Sequence, residues 1–169
     1  MPTHTYGTFT KALQAGKLEP AYYFLGAENV LKDEATTALL DKVLDPGLRD
    51  FNLDIRSAQQ LEPEDVLSLC TTLPMMADRR VVVVRDVEAW KRKTRGKKAV
   101  LEYLQKPIPE TLLVLVQGAA SDAKDDKPDT DLAKHAYTIA FAELTVEEAT
   151  RWVAREAKTM GITFAPGAE

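Results

Sequence analysis

Two short apolar runs with no polar break constrain this chain more than any other feature: Val81, Val82, Val83 and Val84, and then Leu112, Leu113, Val114, Leu115 and Val116. A strand with one face in water alternates apolar and polar side chains. A run that is apolar at every position therefore belongs to a strand covered on both faces, at the centre of a parallel sheet with helices on either side. Both runs are far shorter than the roughly 18 apolar residues that cross a bilayer. At 169 residues, 45% hydrophobic and 28% charged, the chain is the size of one ordinary globular domain.

The segments around these runs complete a repeating pattern. After a short helix signal at 9–15, residues 21–25 (Ala-Tyr-Tyr-Phe-Leu) read as a first strand stopped by Gly26. Leu31, Ala35, Ala38, Leu39 and Val43 recur at helical spacing over 30–44, and Pro46-Gly47 closes that helix. Residues 51–55 (Phe-Asn-Leu-Asp-Ile) alternate like a half-buried strand. Pro63 begins a helix with Val66, Leu69, Cys70 and Leu73 on its apolar face, and Pro74 ends it. A polar helix is predicted over about 87–104, and residues 137–141 supply a last strand. If 130–136 is helical, the chain makes five complete β/α alternations; otherwise the last two strands follow one another directly. Residues 119–128 carry no apolar periodicity and read as a mobile surface loop. The fold class is α/β: a three-layer domain with a five-stranded parallel sheet.

Thr145-Val146-Glu147-Glu148 is a capping box, in which the Thr145 hydroxyl and the Glu148 carboxylate each satisfy a free helix-end N–H. Ala149, Trp152, Val153, Ala157 and Met160 then form an apolar stripe, and Gly161 suits a left-handed cap. That stripe needs partners, so residues 1–143 are expected to form one domain and 144–169 to open a second that continues beyond this sequence.

Gly26 follows a strand and opens a helix, and Lys32 stands at the spacing of a phosphate-loop lysine. The rest of that motif fails. Leu31 replaces the second glycine and would crowd the backbone approach to phosphate, while Asp33 replaces the magnesium-binding hydroxyl and would repel phosphate. Asp86, after the valine run, stands near the place of a magnesium-orienting acid but reads as a surface acid at a strand end. His4 and His135 have no metal-ligand spacing, and no nucleophile elbow appears, so neither a metal nor a cofactor is expected. A net charge of −4 and pI near 5.3 exert no general pull on nucleic acid. A single cysteine allows no internal disulfide, and the first residues lack a secretory apolar stretch, which fits a cytoplasmic protein without membrane contact.

Four stretches, in order, resemble the delta subunit of the bacterial DNA polymerase III clamp loader. They are residues 20–28 (PAYYFLGAE), 73–84 (LPMMADRRVVVV), 112–116 (LLVLV) and 152–158 (WVAREAK), and the second is the most specific. The resemblance implies an AAA+ architecture of P-loop NTPase type with a degenerate nucleotide site, followed by the first helix of a helical lid domain. It also implies no catalytic activity in this chain itself, although the holoenzyme it serves is a DNA-directed DNA polymerase, a nucleotidyltransferase.

The implied mechanism is contact. A hydrophobic wedge enters a pocket on the ring-shaped sliding clamp, the beta subunit, and favours the ring with one interface sprung open, in a hetero-oligomer with other loader subunits. By position Met75 and Met76 are the wedge, Leu73 supports them, and Arg79 and Arg80 flank it. On the residues alone the two methionines read as caps of the core between helix and sheet, and the two arginines as solvated strand-entry charges. The cluster Lys91, Arg92, Lys93, Arg95, Lys97 and Lys98 reads as a solvated helix face or as a set of phosphate-backbone contacts. Two rival functions follow from these features: a P-loop ATPase or kinase using Gly26, Lys32 and Asp86, and a DNA-binding module using Lys91 to Lys98. Any DNA contact in the clamp-loader reading is indirect or weak.

Overall fold

The computed structural model describes residues 3–91, 93–118 and 127–163. Strand β1 (His4–Thr5) runs into helix α1 (Tyr6–Gln14), and β2 (Ala21–Leu25) into α2 (Asn29–Val43). A 3-10 turn at Pro46–Leu48 and a single helical turn α3 (Arg49–Asn52) lead to β3 (Leu53–Ser57) and α4 (Asp65–Thr71). Then come β4 (Arg80–Arg85), a 3-10 turn at Val87–Trp90, α5 (Thr94–Gln105), β5 (Thr111–Val116), α6 (Thr130–His135), β6 (Tyr137–Ala140) and α7 (Val146–Thr159).

The strands form one sheet in the order β1-β6-β2-β5-β4-β3, and every neighbouring pair is parallel. The two apolar runs are adjacent central strands: Val82 lies opposite Leu113, and Tyr23 opposite Leu115. Successive side chains of each strand enter opposite layers. Val81, Val83, Leu112 and Val114 pack with Phe9 and Leu13 of α1 and Ala35 and Leu39 of α2. Val82, Val84, Leu113 and Leu115 pack with Val66 and Cys70 of α4, Val100 of α5 and Leu132 of α6. Each fully buried aliphatic side chain contributes about 1.5 to 3 kcal/mol, so these central strands hold the three layers together.

The architecture agrees with the sequence reading, including the helix at 130–135 that completes the alternation, and departs from it in four places. The sheet has six strands instead of five among the described residues, because His4 and Thr5 pair with Ile139 and Ala140 at the β6 edge. Two residues are too few to carry a period, although the His4 ring stacks on Tyr137 at 4.1 Å. The strand read at 51–55 begins at Leu53, and Phe51 and Asn52 belong to the helical turn before it. As the sheet edge, β3 leaves Ile55 exposed. The helix read from 63 ends at Thr71, with Thr72 extended and Leu73 outside it. The helix read over 87–104 is broken after Trp90, which is buried and donates its indole N–H to Leu61 O at 2.9 Å. Most of the loop expected at 119–128, residues 119–126, lies outside the described residues.

Helix α7 has the expected capping box and the left-handed glycine, Gly161 at φ 69°. It packs back on the first layer: Trp152 Nε1 donates to Glu34 Oε2 at 2.9 Å, and Arg155 Nη2 meets both Glu34 oxygens at 2.9 Å. Within the stripe Ala157 is buried and Trp152 half-buried, whereas Val153 and Met160 are exposed.

Cys70 lies on the face of α4 against the sheet, and burial pushes its thiol up to about 12, outweighing the Tyr103 hydroxyl and Arg80 beside it. A thiol with so high a pKa is almost wholly protonated at pH 8, and only the thiolate attacks. Labelling of Cys70 by a disulfide reagent at pH 8 is therefore expected to be at least about 1,000-fold slower in the native protein than in denaturant, because it must wait for opening of the layer. Prompt labelling would mean that α4 does not cover the sheet as described.

Candidate functional site

Because all strands run one way, the sheet has two unlike ends, and the candidate residues divide between them. At the C-terminal end, β2 sits between β5 and β6, the place where open α/β sheets form a ligand crevice. Gly26, Lys32 and Asp33 gather here with Asp86, each meeting groups of the protein itself. Gly26 has φ 111°, and a Cβ there would stand 2.2 Å from Phe141 O. Its missing side chain makes room for the backbone after β6. Glu28 N–H then donates to Phe141 O at 3.3 Å, and Phe141 N–H to Leu25 O at 2.8 Å.

Lys32 turns inward from α2 and is only 1% exposed. Its Nζ donates to Gly26 O at 2.7 Å and to Gln117 O at 2.6 Å, the carbonyls just beyond β2 and β5. Leu31 is in the core, and the exposed Asp33 meets Arg85 Nη1 at 2.6 Å. Asp86 has left-handed φ, 59°, and accepts from Ser57 Oγ at 2.6 Å. Below the crevice the Tyr23 hydroxyl donates to Gln117 Oε1 and accepts from Asp129 N–H at 3.1 Å, while Glu88 Oε2 accepts from Gly118 N–H at 2.9 Å. Sequence reading missed Gln117 and Glu88, whose partners are distant in the chain.

At the opposite end the loop 72–79, between α4 and β4, holds Leu73, Met75 and Met76, which are 75%, 53% and 84% exposed. The backbone beneath them is fixed. Asn52, wholly buried, accepts Met75 N–H at Oδ1 (2.7 Å) and donates from Nδ2 to Met75 O (2.9 Å) and Leu48 O (3.1 Å). Met76 takes a left-handed φ of 53°. Arg79 is half-buried beside Leu18, Pro20, Pro107 and Pro109. Arg80 is buried: it pairs with Asp54 of β3 and directs Nη1 toward Thr72 O at 3.5 Å, so it supports the loop from beneath. Asn52 had a faint sequence signal, since asparagine is a poor strand former in the middle of an apparent strand.

The basic cluster is dispersed. Lys97 is 7% exposed and bridges Asp129 (2.8 Å) and Asp131 (3.4 Å). Burial lowers its pKa, yet the two carboxylates outweigh that and hold it above the ordinary lysine value. Lys93 meets Glu62 at 2.6 Å and Lys98 meets Glu102 at 3.7 Å, Lys91 is half-buried and Arg95 exposed. Arg92 lies outside the described residues. Among the described residues no three His, Cys, Asp or Glu side chains are grouped to hold a metal, and no helix is long and apolar enough to cross a membrane.

With that geometry established, comparison with known proteins is direct. A curated relative, DNA polymerase III subunit delta of Bacillus subtilis (strain 168), is 30% identical over 155 residues, which is 88% of this chain and 45% of the relative. The solved structure titled Bacillus subtilis DNA clamp loader delta protein superposes with a TM-score of 0.73 at 27% identity, over 92% of this chain and 48% of that one. A DNA polymerase III gamma subunit-related protein of Thermotoga maritima gives 0.59 at 13% identity, over 87% of this chain and 49% of that one. A RuvB variant of the same species gives 0.56 at 14%, over 90% and 48%. The last two establish likeness of fold alone. The chain spans about half the length of the delta-subunit relatives it matches. The family described as DNA polymerase III, delta subunit, matches residues 22–142, most of the chain, and this protein belongs to that family.

Proposed function

We propose that this chain is the clamp-binding part of a replicative clamp loader: through Met75, Met76 and Leu73 it binds the ring-shaped DNA sliding clamp, and it favours the ring with one interface open, without hydrolysing ATP itself. The observation that carries this reading is the exposure of those three apolar side chains on a loop whose backbone is held from beneath. Methionine is unbranched and polarizable and adapts to an apolar pocket. A few anchors of this kind supply most of the energy of an interface. The ring opens to the extent that the open form is bound more tightly than the closed one, so no chemical step is needed. Arg79 stands beside the loop to meet acidic groups on the clamp, while Arg80 serves the loop from inside.

In this reading residues 1–143 are the clamp-binding unit and 144–169 begin a lid domain. The partners are the clamp and the other loader subunits of a cytoplasmic hetero-oligomer within the polymerase holoenzyme. DNA is met indirectly or weakly, since Lys97 is buried and Lys93 and Lys98 have carboxylate partners.

Binding of the sliding clamp of the same organism by wild type and by a Met75→Ala/Met76→Ala double variant tests the proposal. The double variant is expected to weaken binding by about 2 to 4 kcal/mol with an unchanged melting temperature, because exposed side chains contribute within about 0.5 kcal/mol to stability. Equal binding by both, or a variant that melts far lower, overturns it.

Nucleotide chemistry is tested at Lys32. Calorimetric titration with ATP and magnesium is expected to give no binding heat. Lys32→Met is expected to lower stability by about 2 to 3 kcal/mol in urea unfolding, since it leaves the carbonyls of Gly26 and Gln117 without that donor. A lysine kept for phosphate would behave the other way, with ATP binding in the wild type and little change in stability on its removal.

A further inference from the structure

The methionine loop has an internal support that the clamp itself would never touch. Asn52 is wholly buried at the junction of α3 and β3, yet its carboxamide takes both polar groups of one residue in another segment, the N–H and the C=O of Met75. A neighbouring strand satisfies a residue in the same two-sided way. The third bond, from Nδ2 to Leu48 O at 3.1 Å, ties the carboxamide to the turn before α3 and fixes its orientation. One residue further on, Met76 sits at φ 53°, a region that a non-glycine residue leaves unless its surroundings hold it there. Phe51, next to Asn52 in the chain, is 58% exposed, so this junction carries an outward apolar side chain beside an inward polar one.

We propose that Asn52 is the positioning residue of the clamp-binding loop: by clamping the backbone of Met75 it holds Met76 in its left-handed conformation and keeps both methionine side chains outward, so that the loop meets the clamp already ordered. This inference rests on the clamp-binding reading above. Its mechanism is preorganisation. A binder whose competent conformation is only partly populated loses apparent affinity in proportion to that fraction. Without the carboxamide, the N–H and C=O of Met75 have no buried partner and turn to water, and the loop leaves its position.

The test compares full-length wild type, Asn52→Ala, Asn52→Asp and the Met75→Ala/Met76→Ala variant in three measurements. These are hydrogen exchange at the Met75 amide, association and dissociation rates on the sliding clamp, and thermal melting. Asn52→Ala is expected to speed Met75 exchange about 100-fold while the amides of Val82 and Leu113 keep their protection. Its association rate is expected to fall about tenfold with dissociation within about twofold, because fewer encounters meet an ordered loop. Loss of the methionines instead raises the dissociation rate, as removal of contacts does. Asn52→Asp keeps an acceptor for Met75 N–H but sets a buried carboxylate oxygen against Met75 O and Leu48 O, so it is expected to disturb exchange and association rate at least as much as Asn52→Ala.

Wild-type association by Asn52→Ala, with or without faster Met75 exchange, overturns the proposal. So does a fall in melting temperature accompanied by equal deprotection of Val82 and Leu113, which would make Asn52 a general structural residue. If wild type does not bind the clamp, the clamp reading has failed and this inference with it. If wild type binds and only the Asn52 rates are unchanged, the positioning role alone has failed.

Discussion

Every pair of neighbouring strands is parallel, and a parallel pair requires the chain to return to the same end before the next strand begins. That constraint sorts the loops of this chain into two sets. Those that follow strands, at 26–28, 58–64, 86–91 and 141–145, collect at the C-terminal end. Those that precede strands, at 15–20, 44–48, 72–79 and 106–110, collect at the other. The loop after β2 and the methionine loop are therefore separated by the length of the strands, and what happens to one need not disturb the other.

Lys32 illustrates why spacing alone misleads at the first end. In a phosphate loop the lysine reaches a ligand, and the loop backbone offers N–H groups to the same ligand. Here the ammonium group lies between two backbone carbonyls at the ends of adjacent strands, and the loop backbone is bonded to the segment after β6. A buried ammonium is tolerated where oxygen acceptors surround it. The residue stands at the helix position of a phosphate-loop lysine, and the partners it meets are backbone carbonyls. At Gly26, likewise, what approaches closely is the backbone of Phe141.

The central sheet was legible because it rests on composition over several residues. Val81, Val82, Val83 and Val84 are apolar at every position, and only a strand covered on both faces accepts that. The capping box of α7 was legible because its two bonds join residues three apart. What escaped was decided by distant partners or by too few residues. β1 is two residues long. Phe51 and Asn52 carry an alternation that suits a strand, but the bonds from Asn52 to residues 48 and 75 are satisfied from a helical turn. At the sites, the position of Lys32 could be read but not its partners. The arginines at 79 and 80 looked equivalent, yet Arg80 is buried and paired with Asp54, far away in sequence.

The exposure of Leu73 follows from Pro74. The apolar stripe of α4 runs through Val66 and Cys70, which are buried, and one more turn would bring Leu73 toward the same layer. Proline disfavours the helical conformation in the residue before it and cannot itself donate to a helix. The helix stops at Thr71, Thr72 is extended with ψ 128°, and Leu73 is delivered to the surface together with the two methionines. Burying a side chain of this size is worth about 1.5 to 3 kcal/mol, and a left-handed non-glycine residue costs about 1 to 3 kcal/mol. A chain selected for stability alone would recover those terms by continuing the helix. Here the buried carboxamide of Asn52 and the ion-paired Arg80 are bonded to the exposed loop from beneath, and under the proposed function that support lowers the ordering cost of binding.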